Sequence, residues 1–239
     1  MAKELKGSLY MIYSNYFYSL LTFWAVLVGI VGISIVFAYI YPGSESYFTL
    51  SAPSYFYGPI VGAMLVTGIV PYLIKLGVTR FSLFVSIGIF GLVVTIVNSL
   101  VVQVIQKILT LIFKETGSGH LLLANGESTL VLNHIAEGLA VDTWWTRIVI
   151  DTSLAFFFLA IAFFIALIFY RYGKLGGFLF LAAIAAVMIF GMSSGGFLYQ
   201  LFERIFTTFS FHYFYYLFGI GIVIYGLSYL ILHGLTIKQ

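Results

Sequence analysis

Pro71-Tyr-Leu-Ile-Lys-Leu-Gly-Val-Thr-Arg-Phe-Ser-Leu-Phe84 is a short polar break between two long apolar segments, Gly58 to Leu73 before it and Phe81 to Val104 after it. Lys75 and Arg80 supply two positive charges within a few residues, Gly77 can turn the chain, and Thr79 can cap the helix that follows. Two basic residues in so short a loop between apolar runs predict a loop that faces the cytoplasm.

The rest of the chain has the same character. Of 239 residues, 62% are apolar and only 8% are charged, and the mean hydropathy is +1.10. A soluble domain carries about 25% charged residues, so this composition predicts an all-α, polytopic membrane protein. At about 20 residues per crossing there is room for six helices with modest loops and none for a soluble catalytic domain. The expected spans are about 17–41, 58–73, 82–104, 148–170, 175–195 and 212–232. Aromatic residues make up 19% of the chain, many of them near span ends, as an interfacial belt requires.

Residues 1–16 mix charges with Leu5, Leu9 and Ile12, a spacing that predicts an amphipathic helix on the inner membrane surface. The N-terminus lacks the short apolar core and small-residue site of a cleaved signal peptide. The loop from Pro42 to Tyr57 has one acid and no basic residue, and Pro71 is expected to end or kink the second span. Residues 105–147 form the longest stretch between spans, with Lys107 to Phe113 extending the third helix and a short helix over Ser128 to Leu139. Gly196 to Phe211, with Glu203 and Arg204 among aromatics, reads as an interfacial or re-entrant-like piece before the last span. With both termini inside, the inner side holds seven basic residues (Lys3, Lys6, Lys75, Arg80, Arg171, Lys174, Lys238) and the outer side four (Lys107, Lys114, Arg147, Arg204), as the positive-inside rule favours.

Few residues offer chemistry. The chain has no cysteine, so there are no disulfides and no thiolate metal sites. His212 and His233 would lie about 30 Å apart on one helix and cannot share a metal. His120 and His134 lack a helical His or Glu partner and read as solvated or interfacial. Asn98 falls inside a span and reads as a hydrogen-bonding link between helices. Asp151 is the acid placed within a span, and Arg147, one helical turn earlier, is its expected partner at the outer mouth. Asn98, Arg147 and Asp151 are therefore the candidate polar groups of a pathway or of helix contacts. No phosphate-cradling Gly-x-x-x-x-Gly-Lys-Ser/Thr loop occurs, so this chain is not expected to bind ATP in that manner. Nor does any set of residues suggest catalysis, a resident cofactor, a metal or nucleic acid.

Leu76-Gly77-Val78-Thr79-Arg80, followed by an aromatic residue and an apolar run, resembles the cytoplasmic loop between the second and third spans of type-2 ABC-type export permeases. The resemblance implies that Lys75, Leu76, Gly77, Val78, Thr79 and Arg80 form the coupling helix that docks on an ATPase subunit. It further implies a single permease domain over residues 1–239, in the cell membrane, paired with a second permease subunit as homo- or heterodimer. ATP and magnesium would be bound by the separate ATPase subunits. A hydrophobic or amphipathic cargo, such as an antimicrobial-type peptide or a lipid-like molecule, suits spans poor in polar groups. The alternative is an ATP-independent secondary carrier or channel, for which Asp151 and Asn98 are the polar candidates.

Overall fold

The computed structural model describes residues 2–40, 46–48, 50–115, 130–132, 134–139, 142–193, 196–207 and 210–235. These form six helical elements: α1 (Ala2–Ile40), α2 (Ser51–Lys75), α3 (Arg80–Glu115), α4 (Trp144–Met192), α5 (Phe197–Thr207) and α6 (His212–His233). Two three-residue strands, β1 (Ser46–Phe48) and β2 (Leu130–Leu132), pair in parallel, and a 3-10 turn covers Ile135–Gly138. All but α5 are long and apolar enough to cross a membrane.

α4 is more than one straight helix. Gly173 takes φ +76°, outside helical geometry, and the rings of Phe164 and Phe180 lie 6.0 Å apart. In a straight helix those two residues would be separated by about 24 Å. The chain therefore folds back at Gly173, and residues 144–172 and 174–192 form two limbs of a helical hairpin. The glycine is required at the bend because L side chains rarely adopt a positive φ.

The first limb of α4 sits at the centre, packed against α2, α3 and α6. Lipid tails are as apolar as leucine, so helices in a membrane associate by close packing rather than by hiding apolar surface from water. Gly58 and Gly62, one turn apart on α2, provide that closeness. A Cβ at Gly62 would stand 2.6 Å from the Leu159 carbonyl oxygen, and one at Gly58 2.9 Å from that of Ala155. Leu65, Leu73, Leu83, Ile87, Leu159, Phe163 and Leu167 fill the core around this contact.

Several sequence expectations are corrected. Residues 2–16 are not a separate surface helix but the first four turns of α1. Ile12 and Tyr16 are buried in the bundle core, because Leu9, Ile12 and Tyr16 recur at helical spacing and face α2 and α3. Glu4 meets Thr79 and Ser82 at one end of the bundle, and Trp24 meets Asn98 towards the other. The rise between Glu4 and Trp24 is about 30 Å, one bilayer core, so the part of α1 level with the bundle starts earlier than residue 17. α2 begins at Ser51, seven residues before the expected start, with Pro53 tolerated in its first turn. It also passes through Pro71 instead of ending there. A wider π turn at Leu65–Ile69 lies just before the proline, where the ring would otherwise meet the Thr67 carbonyl. The helix expected over Ser128 to Leu139 is instead β2 and the 3-10 turn, in the residues described.

α3 runs to Glu115 and carries a buried polar stripe. Ser86, Thr95 and Ser99 each donate to the carbonyl four residues back, at 2.7, 3.0 and 2.9 Å. Such back-bonding satisfies hydroxyls where no water is at hand. α5 spans 11 residues, about 16 Å, too short for a crossing.

Candidate functional site

Two places in the bundle combine order with polar chemistry, one at each end. The first is the turn between α2 and α3. Leu76 closes α2, Gly77 follows with φ +80°, the Val78 amide donates to the Leu73 carbonyl at 3.1 Å, and the Gly77 amide donates to that of Ile74 at 3.0 Å. This is a Schellman stop, and Val78 packs back on the core beside Leu73, the apolar contact that usually accompanies it. Thr79 then starts α3 by accepting the Ser82 amide at 3.3 Å, a side-chain cap of the usual kind. The result is a fixed corner. It turns Leu73 and Val78 inward and leaves the Leu76 side chain 57% exposed between Lys75 and Gly77.

Arg80 is built into the fold. Its guanidinium donates to the His233 carbonyl, and Arg171 donates to the Ile231 carbonyl at 3.3 Å. Both arginines thus close the C-terminal end of α6, where unpaired carbonyls and the helix dipole favour positive charge. The foot of α1, the α2–α3 turn, the region of the α4 bend and the end of α6 consequently share one end of the bundle.

The second place is the opposite end. Asp151 is 1% exposed, and its expected partner Arg147 is not what holds it. Arg147 instead grips Asp142 with two hydrogen bonds of 2.7 Å. Asp151 Oδ1 accepts from the Tyr55 hydroxyl at 2.5 Å and meets His134 Nε2 at 3.0 Å. Its Oδ2 accepts from Gln103 Nε2 at 2.9 Å and from Ser51 Oγ at 3.3 Å. His134, expected to be solvated, is buried, because the Ala136 amide donates to its Nδ1 at 2.9 Å and so leaves the ring proton on Nε2, facing the carboxylate. A carboxylate offers about four lone-pair sites, and here α2, α3 and the 3-10 turn region fill them. Beside this knot Thr152 donates to Ser99 at 3.0 Å. Asn98 accepts from Trp24 Nε1 at 3.0 Å, joining α3 to α1.

The sequence reading missed Ser51, Tyr55, Gln103 and His134. Ser51 and Tyr55 are one turn apart, as are Ser99 and Gln103, and such pairs are the signal that an apolar helix carries a partner for a buried acid. Among the described residues no cluster of three or more His, Asp or Glu side chains could hold a metal.

The Arg147 hydrogen bonds hold the Asp142 carboxyl below the usual carboxylate range, with burial opposing. A depressed folded value stabilises the protein above the unfolded value near pH ~4 and loses that contribution as pH falls through the folded one. Asp142→Asn is therefore expected to lower the stability at pH 7, followed by thermal unfolding, by at most about 1 kcal/mol for so exposed a pair. The gap from wild type should close below about pH 4; a gap that persists there would exclude the ion pair as its cause.

Comparisons with protein-family models, curated proteins and solved structures return no match.

Proposed function

We propose that this chain is the transmembrane permease subunit of a type-2 ABC-type exporter, moving a hydrophobic or amphipathic cargo across the cell membrane with separate ATPase subunits. In this reading the crossings are α1, α2, α3, the two limbs of α4, and α6, six in all, with α5 a re-entrant-like piece before the last. Both termini are cytoplasmic, the subunit works beside a second permease subunit, and ATP with magnesium binds the partner ATPase rather than this non-catalytic chain.

The observation that carries the proposal is the corner at Lys75–Thr79. A linker between spans needs only to be polar and loose. This one is stopped, turned and capped by named hydrogen bonds, and it holds an apolar leucine outward at the end of the bundle richest in Lys and Arg. Docking energy in interfaces concentrates in a few such apolar anchors. The cargo class is supported by a groove of about 750 Å³ between α2 and α4, lined by Pro59, Ile60, Ala63, Ile165 and Phe169 among others, in which apolar surface far exceeds polar. An ATP-independent carrier would want a buried carboxylate open to cargo, whereas the acceptor sites of Asp151 are taken by the protein's own donors.

The test uses the full chain purified from its native membrane, with any P-loop ATPase in the preparation identified by mass spectrometry. Leu76→Ala is expected to weaken retention of that ATPase by about tenfold or more, the effect of losing about 2 kcal/mol at an interface anchor. Expression and thermal stability should match wild type, because Leu76 makes no core contact. Arg80 is a poor probe, since its loss also frees the end of α6. Absence of any ATPase from the wild-type preparation, or full retention by Leu76→Ala, would remove the proposal.

A further inference from the structure

Next to the Asp151 knot, one to two helical turns farther from the bundle centre, α3 and the start of α4 line an open pocket of mixed polar and apolar character, about 320 Å³ in volume. Its lining includes Gln103, Gln106, Lys107, Thr110, Trp144 and Arg147. We propose that this pocket binds a phosphate-ester anion, the headgroup of an anionic membrane lipid or a free phosphate ester, with Lys107 and Gln106 as its principal contacts. The proposal is independent of the ATPase-coupling reading.

Gln106 makes the first argument. It is 8% exposed, lines the pocket, and its side-chain amide makes no hydrogen bond within the protein among the described residues. Its amide atoms keep some open surface, unlike Ser8 Oγ, which is buried without a partner, and the other buried amides are paired: Gln103 with Asp151, Asn98 with Trp24. An amide left open towards a cavity is one whose partner comes from outside the protein.

Lys107 makes the second. Its ammonium has no ion-pair partner among the described residues, while Asp142, the acid at the pocket wall, is already neutralised by the two hydrogen bonds from Arg147. Among the described residues the lining holds two positive charges, Lys107 and Arg147, against the one negative charge of Asp142, while the Asp151 carboxylate behind it is enclosed by its own donors, so the wall that faces the cavity suits an anion. The Thr110 hydroxyl donates to the Gln106 carbonyl at 2.8 Å, and the Thr143 hydroxyl oxygen accepts the Thr146 amide at 3.2 Å. With its proton used in the bond to Gln106, the Thr110 oxygen is left as an acceptor in the pocket lining and suits a hydroxyl on the same ligand. Phosphate beside hydroxyl is the chemistry of a glycerophosphate headgroup.

Position favours a membrane surface. From Arg80 to Gln103 the rise is about 35 Å, close to one bilayer core, so the pocket lies at headgroup level. Trp144 and Trp145 stand beside it with rings 4.9 Å apart, as aromatic residues do in an interfacial belt.

The test measures binding to the detergent-solubilised full chain of three probes: short-chain phosphatidylglycerol, short-chain phosphatidylcholine and inorganic phosphate. Variants are Lys107→Gln, Gln106→Leu and, as a control at the other end, Lys174→Gln. Phosphatidylglycerol is expected to bind at least about tenfold more tightly than phosphatidylcholine, and Lys107→Gln to remove most of that preference while Lys174→Gln keeps it. Lys107 is exposed, so its variant reads binding even where Gln106→Leu fails to fold. Phosphate that binds and is lost in Lys107→Gln supports the anion site with a soluble source; binding confined to phosphatidylglycerol supports the lipid. Equal affinity for the two lipids with no phosphate binding, or wild-type binding by Lys107→Gln, would overturn it.

Discussion

Asp151→Leu is expected to destabilise the protein by at least about 3 kcal/mol, because it leaves four buried donors without their acceptor. The leucine fits the volume but accepts nothing. The Tyr55 hydroxyl, Ser51 hydroxyl, Gln103 amide and His134 Nε2–H would all face a hydrocarbon side chain, and each buried donor without an acceptor costs about 1–3 kcal/mol, with shared relaxation keeping the total below the sum. Asp151→Asn should fall between, because its carbonyl oxygen still serves the Tyr55 and His134 pair while its amide nitrogen meets the Ser51 and Gln103 donors. Thermal unfolding in detergent at matched purity measures both. A leucine variant within about 0.5 kcal/mol of wild type, the ordinary spread of neutral surface changes, would mean that the knot is decoration.

Gly62→Val should rank next. The missing Cβ leaves α2 backbone against the Leu159 carbonyl, and the added atoms would meet that oxygen at 2.6 Å and the Phe163 amide nitrogen at 3.1 Å. Neither can swing away as a side chain could, so the helices must separate along the contact that centres the bundle. Overpacking costs about 1–3 kcal/mol in compliant cores, and a backbone-on-backbone contact belongs at the upper end. Gly58→Ala, with its nearest backbone atom at 2.9 Å, should lose less. Gly29→Ala on α1, where nothing lies within 4 Å, should be neutral or mildly stabilising. If Gly62→Val and Gly29→Ala unfold alike, close helix approach is not what holds α2 to α4.

Much of the architecture was legible because membrane helices announce themselves by length and hydropathy, and because Gly77 and Thr79 sit where a stop and a cap must be. The bend in α4 was readable too, since Arg171-Tyr-Gly-Lys174 cannot continue an apolar span. What sequence alone concealed was register between segments. Nothing local says that Ile12 and Tyr16 point into a core instead of lying on a surface, or that Ser51 and Tyr55 are already helical. The partner of Asp151 was sought at the neighbouring turn, where Arg147 is close in sequence. It was found on two other helices and in the 3-10 turn, where only folding brings Gln103 and His134 within reach. The hydrogen bond from Arg80 to the end of α6, 153 residues away, was equally out of sight in the sequence.

The Asp151 knot also sets an order for assembly. Ser51, Tyr55, Gln103 and His134 all leave the ribosome before the acid they serve, by 100, 96, 48 and 17 residues respectively. Until α4 follows, α2 and α3 must wait in the bilayer with hydroxyls and an amide that lack their acceptor. Once it arrives, an aspartate that the insertion machinery disfavours by about 3 kcal/mol in mid-span meets a ready set of donors at the edge of the membrane. The newest segment is thus drawn into place by those already inserted, and a chain cut before α4 would leave its donors open for the quality-control machinery to find.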